Sequence, residues 1–145
     1  MSQDALQQFS RDLRAYLKTV PRVLGQTVVQ ESAENFRRQG YENEAGAVVP
    51  WEPRQAADTV KRRGKRIANP RQRAILVKSG RLRRSVRIVA TTATSVTVGT
   101  DVPYAEAQQE GNGRLPARPF ITLGRAAKEK LIKKIAARIT GFLSK

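Results

Sequence analysis

The sequence contains no cysteine and no histidine. Without thiols there is no disulfide framework and no thiolate metal site. Without imidazole, the commonest general base and the commonest metal ligand are missing as well. Long apolar runs are also absent. Nothing approaches the ~20 consecutive apolar residues of a membrane span, so no membrane partner is expected. The opening Met1-Ser2-Gln3-Asp4 lacks the basic-then-apolar layout of a secretory signal, which fits assembly in a cytoplasm. Acidic residues are scarce, 12 against 28 Lys and Arg. Aromatics make up 6% of the chain, and none falls between positions 54 and 87.

What is abundant is positive charge, a net +16 over 145 residues, and its distribution is uneven. Residues 1–53 hold 6 Lys/Arg and 7 Asp/Glu, residues 54–87 hold 13 and only Asp58, and residues 88–145 hold 9 and 4. The middle segment therefore carries +12 of the total. A field this concentrated attracts polyanions, phosphate backbones above all; the plain alternative is a solvated segment that keeps the protein soluble. The length suits one domain, and 39% hydrophobic residues suffice for one modest core.

Periodicity divides that single domain, residues 1–145, into four parts. In residues 1–40, Leu6, Phe9, Leu13, Tyr16, Leu17 and Val20 line one helical face, capped by Ser2 or Asp4. Pro21 interrupts, and Val23, Leu24, Val28, Ala33 and Phe36 continue a helical stripe that closes at Gly40. The two runs are either one kinked helix or a pair joined by a turn. Residues 41–74 show neither helical nor strand period and read as a basic loop containing Lys61, Arg62, Arg63, Lys65 and Arg66. In residues 75–122, Ser79 caps a short helix through Ser85. Val86, Ile88 and Ala90, then Val96 and Val98, alternate as the strands of a small antiparallel sheet with a hairpin. Pro103 opens and Gly111 ends another short helix, and 116–121 is stiff and extended. Residues 123–145 form an amphipathic helix, with Leu123, Ala127, Leu131, Ile135, Ile139 and Leu143 repeating every fourth residue. The expected class is α+β.

Individual positions carry more than one reading. Trp51 plugs a core edge or stacks on a base. Gly80 and Gly111 serve as cap and turn, or as points of close subunit approach. Arg118, between stiff proline segments, suits a bidentate pair with a carboxylate of its own chain or of a neighbour. Asp101, Glu106 and Glu110 are the one acidic cluster of the second half, but no Lys or His completes a nuclease motif around them, and a solvated face is the simpler account. No phosphate-cradling glycine loop and no nucleophile–base pair is present. The expectation is a protein without catalytic residues, metal or cofactor.

Four segments in order carry a resemblance. They are Trp51-Glu52-Pro53, then Ile75 to Val86 with Ser79, Gly80, Leu82 and Ser85 at fixed spacing, then Tyr104 to Gly111, and finally Pro116-Ala117-Arg118-Pro119-Phe120. Over residues 30–125 this arrangement resembles the phage virion morphogenesis family, which includes tail completion proteins of contractile-tailed bacteriophages. Related proteins often carry His-Gln before the glycine, where this chain has Gln108-Gln109. The resemblance implies a structural virion protein, assembled in the host bacterium's cytoplasm. It would complete the tail or join head to tail, as a ring homo-oligomer at the neck that touches connector or tail proteins. The competing reading, a sequence-independent nucleic-acid-binding protein, explains the charge but not the ordered motifs, and it would favour aromatics among the basic residues. For the basic cluster at 61–66, non-specific contact with genomic DNA and docking on an acidic protein face both remain open, with docking slightly preferred.

Overall fold

The computed structural model describes residues 2–54, 59–68 and 74–144. Its elements are α1 (Gln3–Leu17), α2 (Val20–Arg38), β1 (Gly40–Glu42), β2 (Val48–Pro50), β3 (Thr59–Arg62), β4 (Lys65–Ala68), α3 (Arg81–Ser85), β5 (Arg87–Thr91), β6 (Val96–Gly99), α4 (Ala105–Glu110) and α5 (Arg125–Leu143). The class is α+β, as the sequence indicates. Among the described residues, however, the strands form three separate antiparallel ladders, β1–β2, β3–β4 and β5–β6, rather than one sheet.

The N-terminal stripes resolve into two helices. The Ser2 hydroxyl accepts the Ala5 N–H at 3.3 Å and caps α1. Pro21 lies in the first turn of α2, where its missing N–H would have no intrahelical partner in any case, so it starts a new helix rather than kinking one. Helix α2 ends one residue before the expected glycine, at Gln39, which adopts a left-handed conformation (φ 55°). Gly40 serves the neighbouring strand instead, since a Cβ there would collide with the Val49 carbonyl oxygen.

Residues 41–74 are not one loop. Tyr41 pairs with Val49, and Val60 with Ile67, so this region holds the β1–β2 and β3–β4 hairpins. Period-two reading failed because these strands are three or four residues long, too short for an alternation to stand out. The parts of the expected loop at 55–58 and 69–73 lie outside the described residues. Strand β5 also departs from simple alternation. A register shift between Ile88 and Ala90 leaves Val89 60% exposed and Ala90 on the surface, while Ile88 and Val98 face each other.

Helix α2 is the centre of the molecule. It packs against β1, β5, β6, α1, α3 and α5. Gly25 explains the closeness of the β5–β6 hairpin, because a Cβ at this position would stand 2.6 Å from Val96 Cγ2 and 2.9 Å from Ile88 Cδ1. The core then gathers at the C-terminal end of α2: Phe36, Trp51, Leu82, Val86, Val102, Ala105 and Phe120 are buried together. Phe36 meets Trp51 edge-on at 5.5 Å between ring centres and Phe120 at 5.6 Å. Burying a large apolar side chain is worth roughly 1.5–3 kcal/mol, so this cluster dominates the favourable side of folding. Helices α1 and α5 contribute no buried residue. They lean on each other through Tyr16 and Phe142, 5.8 Å apart, and leave Leu6, Leu17, Ile132 and Leu143 exposed.

Candidate interaction site

The ordered motifs converge on one point below α2. Trp51 donates its indole N–H to the Pro119 carbonyl at 2.9 Å. Arg118 is only 6% exposed and spreads its guanidinium over the preceding chain, with Nε on the Glu52 carbonyl at 3.0 Å and Nη2 on the Pro53 carbonyl at 3.2 Å. Its Nη1 reaches Gln108 Oε1 at 3.5 Å. The expected carboxylate partner is therefore replaced by backbone carbonyls and a side-chain amide. Irregular chain at 51–53 has unpaired carbonyls to satisfy, and a planar fork of donors suits them.

Gln109 locks the same segment from the other side. Its Oε1 accepts the N–H groups of Phe120 (2.9 Å) and Ile121 (3.0 Å), and its Nε2 donates to the Ile121 carbonyl at 3.0 Å. One amide side chain thus mimics a β-ladder partner for the extended stretch. Gly111 permits the turn between them at φ 76° and ψ 175°. The Arg118 N–H closes the loop on the Gln108 carbonyl at 2.8 Å. Pro116 is half-buried in the same loop. The proline-flanked stretch is in this way fastened by Trp51, Gln108 and Gln109.

Two amide residues at the C-terminal end of α2, Asn35 within it and Gln39 at its cap, complete the arrangement, and the sequence reading missed both. Asn35, fully buried, donates to the Phe120 carbonyl at 3.2 Å and to Thr122 Oγ1 at 2.8 Å. Gln39 holds the 75 segment, donating to the Ile75 carbonyl at 3.3 Å while its Oε1 accepts the Ile75 N–H. Their signal was available: two amides four residues apart on the face of α2 that carries Phe36, where an apolar residue would be expected.

The second motif segment builds α3. Gly80, left-handed at φ 71°, is its N-cap; the Ser79 hydroxyl, expected as the cap, accepts the Arg81 N–H at 3.3 Å from just outside the helix. Leu82 is 1% exposed within the core, and Ser85 Oγ donates to the Leu82 carbonyl at 2.8 Å and contacts Thr100 Oγ1. Tyr104 is 47% exposed and does not join the packed cluster. It lies instead on the wall of a cleft of about 370 Å³ whose other walls include Arg54, Leu76, Lys78, Arg81 and Arg118. The charged residues among its described walls are all cationic.

The basic residues at 61–66 stand apart from the motif cluster, on the β3–β4 hairpin. Lys61 is opposite Arg66 and Arg62 opposite Lys65, with Arg63 and Gly64 at the turn. The acidic residues do not converge. Asp101 pairs with Arg87 at 3.5 Å, Glu106 and Glu110 face solvent, and no three acidic side chains among the described residues could hold a metal ion. Nor is any helix among the described residues long and apolar enough to cross a membrane.

A model of the phage virion morphogenesis family matches residues 2–140. No curated protein and no solved structure matches the chain. The family match covers the motif cluster, the basic hairpin and both terminal helices, nearly the whole molecule. The chain belongs to the phage virion morphogenesis family and is a protein of bacteriophage particle assembly.

Proposed function

We propose that this protein is a non-catalytic structural component that completes the tail or joins head to tail, assembling as a homo-oligomeric ring at the neck. The observation that carries this reading is the contrast between a tightly fastened motif cluster and two terminal helices whose apolar stripes are no more than half-buried. Trp51, Gln109 and Arg118 use their polar atoms on the chain's own backbone, which is the work of a rigid module rather than of a reacting site. Helices α1 and α5 meanwhile present apolar side chains that one copy does not cover. Contiguous apolar surface on a small protein marks an association surface. Copies meeting head to tail through such faces close into a ring when the rotation permits. The cationic cleft beside Tyr104 suits an acidic segment of a connector or tail protein.

Cryo-EM of assembled particles tests the proposal. Several symmetry-related copies at the neck or tail end, in contact through α1 and α5, are expected. One asymmetric copy per particle would rule out the ring, and its absence from particles would rule out the structural role. Isolated protein that is monomeric remains compatible, because ring closure can require the tail or connector as a template. The nucleic-acid reading keeps support from one feature, the β3–β4 hairpin.

A further inference from the structure

The β3–β4 hairpin breaks two local rules at once. First, its register sets like charges directly across from each other, Lys61 against Arg66 and Arg62 against Lys65. Such cross-strand pairs destabilise a ladder, and a lone two-stranded hairpin is marginal in water even without them. Second, the two-residue turn places Arg63 at φ 49° and Gly64 at φ 78°. Positive φ at both central positions is the backbone that favours Asn-Gly, and an L-residue such as Arg is strained there. Gly64 has nothing within 4 Å of where a Cβ would lie, so the turn is open to its surroundings. Sequence that violates pairing and turn preference together, with charge of one sign, is organised for a partner.

The register also says what kind of partner. Opposite residues share a face of a ribbon and successive residues alternate. Lys61 and Arg66 therefore belong to one face, Lys65 and Arg62 to the other, and Arg63 to the tip. A flat acidic protein surface meets one face of a ribbon. The major groove of duplex DNA is wide enough to admit a two-stranded ribbon, and phosphates run along both of its walls. The hairpin, residues 59–68, has no aromatic residue to stack on unpaired bases and no Asn or Gln to pair with adenine.

We propose that the β3–β4 hairpin is an arm that contacts the sugar–phosphate backbone of duplex DNA without reading its sequence. This goes beyond the ring assignment and does not depend on it. Duplexes of two unrelated sequences, titrated with the full-length protein over a range of salt, provide the test. The arm variant carries Lys61→Gln, Arg62→Gln, Arg63→Asn, Lys65→Gln and Arg66→Gln; asparagine preserves the turn. A control variant removes the same charge elsewhere, with Arg114, Lys128, Lys130, Lys133 and Lys134 all changed to Gln. A third variant keeps the arm's charge, with Arg62, Arg63 and Arg66 changed to Lys.

Each phosphate contact contributes about 0.9 to the slope of log affinity against log salt. The arm variant is expected to lose about 3 units of that slope and at least tenfold in affinity at low salt. The control and the all-lysine variant are expected to retain most of both, and the two duplex sequences to bind alike. Equal losses in the arm and control variants would reduce the effect to net charge and overturn the proposal. So would an arm variant that binds DNA like the parent, and if that variant also failed to enter particles, the arm's partner would be an acidic protein face.

Discussion

Gly80 and Gly111 look equivalent in sequence, and both adopt positive φ, yet their surroundings differ. Gly80 is left-handed at φ 71° and ψ 4°, and a Cβ there would meet the guanidinium of Arg84, the far end of a flexible side chain. Gly111 lies at φ 76° and ψ 175°, a region essentially reserved for glycine, and a Cβ would press on the Ala117 nitrogen and the Leu115 carbonyl, both backbone. Gly80→Ala is therefore expected to cost about 1–2 kcal/mol. Gly111→Ala should cost about 3 kcal/mol or more, strain and overpacking combined. Denaturant titration of the two variants checks the order; equal costs would mean that the turn at 111–117 can relax. Leu82→Ala removes a side chain that is 1% exposed in the core, and a loss of about 2–5 kcal/mol is expected from the same measurement. That is enough to unfold a marginal domain.

At the scale of elements, α2 and α5 are both 19 residues long and do opposite jobs. Helix α2 buries Ser32, Asn35 and Phe36 and organises the core, whereas α5 has no fully buried residue. Its first turn is hydrogen-bonded to the body, with Glu42 Oε1 accepting the Ala126 N–H at 2.8 Å and Gly124 packed on the Glu42 side chain, while further along Leu131, Ile135 and Ile139 are only half-buried. Truncation after Lys128 keeps those ties. It should leave a cooperatively melting domain while abolishing incorporation into particles, and loss of the cooperative transition would show that α5 belongs to the folding unit. Within α5, Arg125 hydrogen-bonds Glu129 at 2.8 Å; that bond first, and the guanidinium charge second, hold the Glu129 carboxyl below the usual carboxylate range. The sign follows directly. A depressed carboxylate pKa contributes stability above the unfolded value, and this is lost as pH falls through the folded value. NMR titration should find Glu129 protonating at lower pH in the parent than in Arg125→Gln. Because both side chains are exposed, the difference should shrink as salt is added.

The whole molecule separates its charge from its packing. The middle segment carries the excess cations, and the described part of it between 59 and 68 is a hairpin that packs mainly on itself. The motif cluster lies on either side of it in sequence, at 51–54 and from 75 onward, and the cleft at their junction has cationic walls. A body held rigid by backbone-directed side chains, with a charged hairpin and two amphipathic helices that keep apolar side chains exposed, is a part for assembly. Among the described residues the carboxylates do not converge. Glu106→Gln with Glu110→Gln should leave duplex DNA incubated with the protein and magnesium as intact as the parent leaves it. Cleavage by the parent that disappears in the double variant would instead make those carboxylates catalytic.

The sequence by itself determined the local structure wherever local physics dominates. The helical stripes of α1, α2 and α5, the β5–β6 hairpin and the turn at Gly111 follow from periodicity, β-branched alternation and glycine. The family follows from four short motifs in order, and the charge of the arm from counting. Tertiary structure decided what those motifs are for. Arg118 in isolation suggested a carboxylate, because a guanidinium's preferred partner is an anion. In the fold it meets the carbonyls of Glu52 and Pro53, which irregular chain leaves without partners. Asn35 and Gln39 stand out beside Phe36 as amides where apolar residues are expected, but what they hold is decided only when residues 75 and 120 arrive from far along the chain. The register of Lys61 against Arg66 was likewise invisible, because like charges side by side in a chain become opposed only when a turn folds the strands together.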